Sequence, residues 1–254
     1  MDSRYDQLSP IPPLTWVTKN IIITCVVMYL VDIISTHLGF QIHNYYLREI
    51  LGLVPELVKE KGWVWQFGTY IFMHGDNLHL LLNMLILWYF GSEIESKLGR
   101  SQFLIYFLLC GIGAGLFNYG ISVLFLDKTR LGHPIIGASG AIYGVLAAYG
   151  IFFAERYFLL LFFFPMKAKY FVLIMALISL ISGIESNSTN NVAHFAHLGG
   201  MIVGALYIYF RYMRPGGPKS GKSRRDLDRE KLKRQFTLIV NEGNQKEEKG
   251  PYWN

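Results

Sequence analysis

Charge is scarce in this 254-residue chain. Only 17% of its residues are Asp, Glu, Lys or Arg, against 52% hydrophobic. A soluble domain carries about 25% charged residues, so a water-soluble globule is excluded. Cysteine is nearly absent. Cys25 and Cys110 both fall inside apolar runs, which reads as buried thiols and not as a disulfide or a metal site. The metalloprotease signature His-Glu-x-x-His is missing, and the spacing of His74 and His79 is wrong for two ligands on one helical face. Asp76 lies close to the surface, which leaves Asp32 as the only embedded aspartate, so a facing aspartyl pair is discounted too. Neither an inverted repeat of motifs nor a matched pair of broken helices is present, which argues against a transporter. The N-terminus has no basic region followed by a cleavage site, so no signal peptide is expected. No metal and no cofactor is expected.

What the chain does have is long apolar runs. Several approach or exceed the ~18 residues that suggest a spanning helix. Six spans are expected, over 16–35, 67–90, 103–126, 137–154, 170–182 and 192–212. The fold class is therefore all-α, a polytopic membrane protein with a six-transmembrane-helix bundle over 16–212. Residues 1–15 read as a cytoplasmic arm, and 213–254 as a basic cytoplasmic tail, disordered or weakly helical. Between the spans, 36–66 form a long mixed loop. Its 51–58 stretch lies partly in the interface, and Trp63 and Trp65 suit interface anchors. A charged turn is expected at 91–99, an interfacial connection at 157–164 and a flexible loop at 183–191.

The charges are unevenly placed. Residues 1–210 carry twelve basic and twelve acidic side chains, whereas 211–234 carry ten basic and three acidic. An even number of spans puts both termini on one side, and the positive-inside rule makes that side cytoplasmic. The basic tail then faces the anionic cytoplasmic leaflet. Anionic lipid is its expected partner, and nucleic acid is not.

This topology sets the depth of the polar residues inside the spans. The second, fourth and sixth spans all run from outside to inside. Ser139 lies near the outer end of the fourth. His197 lies about one and a half turns into the sixth. His74, His79 and Asn83 lie in the outer to middle part of the second. A lone serine or histidine in a membrane helix is more often a packing or interhelical hydrogen-bonding residue than a catalyst. Five such side chains converging on one zone are a different matter, because polar groups at depth are costly. A serine, a histidine on another helix and donors on a third are the parts of acyl transfer: nucleophile, general base and oxyanion clamp.

Helical spacing supports the grouping. Ser139 and Tyr143 are four apart and share a face. Gly140, Gly144 and Ala148 form a smooth stripe beside them. His197, Gly200 and Gly204 form another, so the fourth and sixth spans can approach closely. No carboxylate sits at matching depth, which predicts a Ser–His pair without an orienting acid.

These residues resemble the rhomboid intramembrane serine proteases. The resemblance rests on Gly137-Ala138-Ser139-Gly140, on Ala196-His197-Leu198-Gly199-Gly200 followed by Gly204, and on His74-x4-His79-x3-Asn83. It covers roughly 16–212. Trp65-Gln66 stands where the family often has Trp-Arg, and Glu95 matches a family glutamate at the inner end of the second span. The resemblance implies Ser139 as nucleophile and His197 as general base, later acid. It implies His79, Asn83 and the Ser139 backbone N–H as the oxyanion site. Tyr143 is expected to pack on the His197 ring, with Gly137 and Gly140 giving room around Ser139 and His74 near a wet pocket. His194, one turn before His197, competes for the role of base but lacks the Ala-His-x-x-Gly context.

The substrate expected on these grounds is a membrane helix of another protein, cut near the outer face after local unwinding. Family resemblance adds entry past the second and fifth spans and a bacterial plasma membrane as the location. A non-enzymatic scaffold of the same architecture is the alternative. Such proteins typically lack the serine or the histidine, and this chain keeps both.

Overall fold

The computed structural model describes residues 12–125, 131–160, 164–184 and 191–214. The basic tail, most of the N-terminal arm and the core of the 183–191 loop lie outside the described residues. The described part is mostly helical. Helix α1 (Trp16–His37) is followed by two short helices of the first loop, α2 (Leu47–Leu51) and α3 (Pro55–Lys61), and by α4 (Gln66–Thr69). Then come α5 (Asn77–Ile86), a wide π turn over Leu87–Gly91, α6 (Ser92–Leu98) and α7 (Arg100–Phe125). Helix α8 (Ser139–Phe152) precedes an antiparallel hairpin of β1 (Tyr157–Leu160) and β2 (Phe164–Lys167). Helices α9 (Ala168–Ile184) and α10 (Asn191–Ile208) complete the bundle.

Helix α8 is the axis. From Gly140 to Tyr149 every residue is buried, because α5, α7, α9 and α10 pack around it. Its outer neighbours turn leucine and isoleucine outward. Ile23, Val27, Leu30 and Ile34 of α1, Leu78, Leu81 and Leu85 of α5, and Leu173, Leu177 and Ile181 of α9 are all exposed. A soluble protein rarely presents so large an apolar surface. By length and composition two described helices, α1 and α7, suffice to cross a membrane, and α8 and α9 are shorter apolar helices.

The smooth stripes pack as their spacing predicts. A methyl group on Gly200 would overlap the carbonyl oxygen of Gly140, and one on Gly204 would lie 2.8 Å from the Cα of Gly144. The residue offset of the two pairs is the same, so α8 and α10 run parallel with their backbones touching. Tyr106 of α7 donates its hydroxyl to the Gly144 carbonyl at 2.5 Å. Cys25 and Cys110 are free and buried, as expected.

Several expectations need correction. The second span does not start at residue 67. Gln66–Thr69 and a short 3-10 turn are followed by a break over Met73–Asp76, and α5 starts only at Asn77. Asp76 caps it, accepting the backbone N–H of His79 at 2.9 Å, and a capped start marks a boundary that apolar composition hides. The charged stretch 91–99 is not a turn but mostly helix, and its Glu95 is buried. That carboxylate caps α1, accepting from the backbone N–H groups of Val17 at 3.0 Å and Thr18 at 2.8 Å, and from the Thr15 and Thr18 hydroxyls. The fold is also not purely helical: the 157–164 connection contributes β1, paired with β2. Two strands side by side satisfy each other's backbone groups where the chain reverses.

The first loop is built in, not loosely laid on. Leu53 pairs with Ile135 across the chain, and Leu53, Val54, Leu57 and Val58 are buried. Gln66, also buried, accepts the Val54 N–H at 2.9 Å and donates to the Glu49 carbonyl at 2.8 Å. It is therefore a strut of this loop and not one of its lipid contacts. Trp65 is half exposed, as an interface anchor would be. Asp32 of α1 is fully buried and takes both Nη2 (2.6 Å) and Nε (3.1 Å) of Arg48 from α2. Removing it from any aspartyl chemistry, this pair ties the loop to the first helix.

Candidate active site

Ser139 is the first residue of α8, and the chain reaches it through Gly137 at φ +129°. Only glycine adopts that backbone readily. Gly137 also makes space: a methyl group there would lie 2.8 Å from both Nε2 and Cε1 of His79. The missing side chain lets the His79 ring lie against the backbone two residues before the serine. The first-turn N–H groups of α8 have no intrahelical acceptor, so the end of the helix presents donors beside the Ser139 hydroxyl.

His197 reaches the same point from α10. Its Nε2 lies 2.8 Å from Ser139 Oγ, a hydrogen-bonding distance. Backbone contact between Gly140 and Gly200 brings the two helices close enough for it. The Tyr143 ring stacks on the His197 ring, with centroids 4.1 Å apart and planes 4° from parallel. That stacking fixes the tilt of the imidazole. The Nδ1 of His197 has no protein hydrogen-bond partner, so among the described residues no carboxylate orients it.

The second group of donors comes from α5 and the break before it. Asn83 is buried, and its Nδ2 donates to the His79 carbonyl at 2.8 Å, leaving one of its two amide hydrogens uncommitted. His74 lies in the break, fully buried, its ring 5.2 Å from that of His79. Neither of its ring nitrogens has a protein partner. His194 is edge-on to His197 at 5.8 Å between centroids, and the structure shows no hydrogen bond from it to Ser139. Of the sequence candidates, Ser139, His197, Tyr143, Gly137 and His79 meet at one place. Asn83 joins them through the His79 backbone, Gly140 through α10, and His74 through the His79 ring. Among the described residues no cluster of three or more His, Cys, Asp or Glu could hold a metal ion.

The site is thus a hydroxyl and an imidazole in contact at the head of a buried helix, inside a helical bundle whose outer surface is apolar. The Rhomboid domain family model matches residues 61–214, more than half of the chain. The chain belongs to the rhomboid family. Rhomboid protein 1, mitochondrial, of Saccharomyces cerevisiae is 32% identical over 139 residues, 55% of this chain and 39% of that protein. Rhomboid protease GlpG of Salmonella typhi is 28% identical over 200 residues, 78% of this chain and 62% of the relative. Rhomboid protease AarA of Providencia stuartii is 32% identical over 155 residues, 56% and 54% of the two chains. The chain thus spans about two fifths to three fifths of the length of these relatives.

Proposed function

We propose that this protein is an intramembrane serine endopeptidase working through a Ser139–His197 dyad. One observation carries the reading: the 2.8 Å contact between Ser139 Oγ and His197 Nε2 at the head of a buried helix. The names of two relatives, GlpG and AarA, include rhomboid protease and support it.

In this reading the Ser139 oxygen attacks the carbonyl carbon of the scissile bond while its proton passes to His197 Nε2. His79, Asn83 and the Ser139 N–H stabilise the resulting oxyanion; Asn83 does so with its uncommitted hydrogen. Collapse breaks the C–N bond, and His197 returns the proton to the leaving amine. Water then attacks the Ser139 ester, giving a proton to His197; the ester C–O bond breaks, His197 returns that proton to Ser139 Oγ, and the carboxylic acid product leaves. The π face of Tyr143 offsets the imidazolium charge that appears twice in the cycle. Preorganised donors are worth more in such a water-poor zone than in solvent.

The architecture proposed is six spans over 16–212, with both ends cytoplasmic and the 213–254 tail on anionic lipid. Ser139 then lies just below the outer face, and the substrates are membrane helices of other proteins cut near that face. A bacterial plasma membrane is the location favoured, supported by the 200-residue alignment to a bacterial relative.

The test is purified protein with a single-span substrate. Ser139→Ala should abolish cleavage. His197→Ala should lower it by at least the ~10²–10⁴-fold that a general base supplies. A chelator should have no effect, and a fluorophosphonate probe should label Ser139 alone. Cleavage that survives Ser139→Ala overturns the proposal.

A further inference from the structure

Below the site, away from Ser139, a groove of about 460 Å³ runs between α8, α9 and α10. One face of α9 lines it, through Lys169, Val172, Leu173 and Ala176. The opposing wall is Leu198, Met201, Ile202 and Ala205 of α10, and the floor is Ala147, Gly150 and Ile151 of α8. Both walls follow the i, i+3, i+4, i+7 spacing of a helix face. Ala147, Ala176 and Ala205 are small and leave the volume open, while Val172 packs directly on Gly150. From Lys169 to Ala176 it is about 10 Å long, roughly a third of a hydrocarbon slab. Leu173 and Ile202 at its rim are exposed, so it opens sideways to the surroundings of the bundle.

Every lining residue but one is apolar. The exception, Lys169, stands at the end remote from Ser139. Its ammonium pairs with Glu155, which also holds Lys167, so two cations share one carboxylate. The trio keeps a net positive charge. Each ammonium has three donors, and each gives one to Glu155. The Lys167 and Lys169 side chains stay 29% and 39% exposed, so another anion can reach the two cations from the side away from Glu155.

We propose that this groove holds one acyl chain of an anionic phospholipid of the inner leaflet, with its phosphate on Lys169. The chain fills the space left by the small residues, and the headgroup meets the unspent charge at its mouth. Its far end abuts the Tyr143, Ala147 and Met201 cluster, and Tyr143 carries the His197 ring. The site rests on the membrane topology proposed above but not on the hydrolase reading.

The test is made in the Ser139→Ala background, so that loss of proteolysis cannot affect it. The full chain in detergent is titrated with phosphatidylglycerol or phosphatidylcholine of equal acyl length and read by native mass spectrometry. One phosphatidylglycerol should be retained in preference to phosphatidylcholine. Ala176→Leu, which fills the groove, should remove the bound species. Lys169→Gln, a change at the surface, should weaken phosphatidylglycerol about tenfold, the effect of one charge-assisted contact, and phosphatidylcholine less, because choline already neutralises its phosphate. Equal retention of the two lipids, or retention unchanged by Ala176→Leu in a variant that melts like the parent, overturns the proposal. So does a photo-crosslinker at Ile202 that captures a protein helix in place of lipid.

Discussion

Gly140 and Gly200 face each other with no side chain between them, so that the carbonyl of one occupies the space where the other's Cβ would stand. This is the tightest approach between α8 and α10, and it lies one residue below Ser139. The dyad distance depends on it. Gly200→Ala should push the helices apart, costing about 1–3 kcal/mol of stability, as overpacking does. Fluorophosphonate labelling of Ser139 should fall more than the melting temperature would suggest, because a shift of 1 Å already breaks the 2.8 Å contact. Labelling at the parental rate would show that the approach is not needed.

Tyr143 and His197 form a parallel stack, so the ring matters more than the hydroxyl. Tyr143→Phe should retain most of the turnover. Tyr143→Ala should lose an aromatic contact worth about 0.5–1.5 kcal/mol, a roughly 2- to 12-fold fall in kcat. Single-turnover kinetics with both variants distinguishes the two contributions.

Glu95 is a stability residue far from the chemistry. It satisfies two backbone donors at the start of α1 along with two hydroxyls. Hydrogen bonds to a charged group are worth about 1.5–3 kcal/mol. Glu95→Gln should therefore lower thermal stability by an amount in that range. The labelling rate of the protein that remains folded should be unchanged.

Glu155 links stability to pH, with a sign set by its partners. Hydrogen bonds from Lys167 and Lys169 hold its carboxyl down at about 2. A carboxylate with a depressed folded value contributes fully above its unfolded value of about 4.3 and loses that contribution as pH falls toward 2. The stability gap between the parent and Glu155→Gln should thus be constant from pH 7 to pH 5 and shrink only below that. The pair is exposed, so the gap should be small, and high salt should narrow it further. A gap that widens on acidification would contradict the assignment.

Much of the site was legible because its residues obey helical spacing. The Ser139–Tyr143 face, the two glycine stripes and His197 one turn above Gly200 are local patterns, and the structure assembles them as spaced. What was not legible depends on partners distant in sequence. Hydropathy runs without interruption through Met73, so the break before α5 is invisible until Asp76 is seen as a cap. Glu95 looks like a turn residue unless one knows that the start of α1 lies beside it. Gln66 reads only as a departure from the Trp-Arg of the family, and its bonds to Val54 and Glu49 reveal a strut. The hairpin of β1 and β2 has the same apolar composition as a membrane-seated connection. Composition alone cannot separate the two.

The brevity of α8 has a mechanical result. Its 14 residues rise about 21 Å, some 9 Å less than a ~30 Å bilayer core, while α1 and α7 have 22 and 26 residues. A lipid-exposed rod so short would have to thin the membrane around it. Shielded by the longer α7, α9 and α10, and by α5 with its continuation through the π turn into α6, it need not. The shortfall can become a dimple inside the barrel of helices, a well down which solvent reaches a bond otherwise sealed in oil.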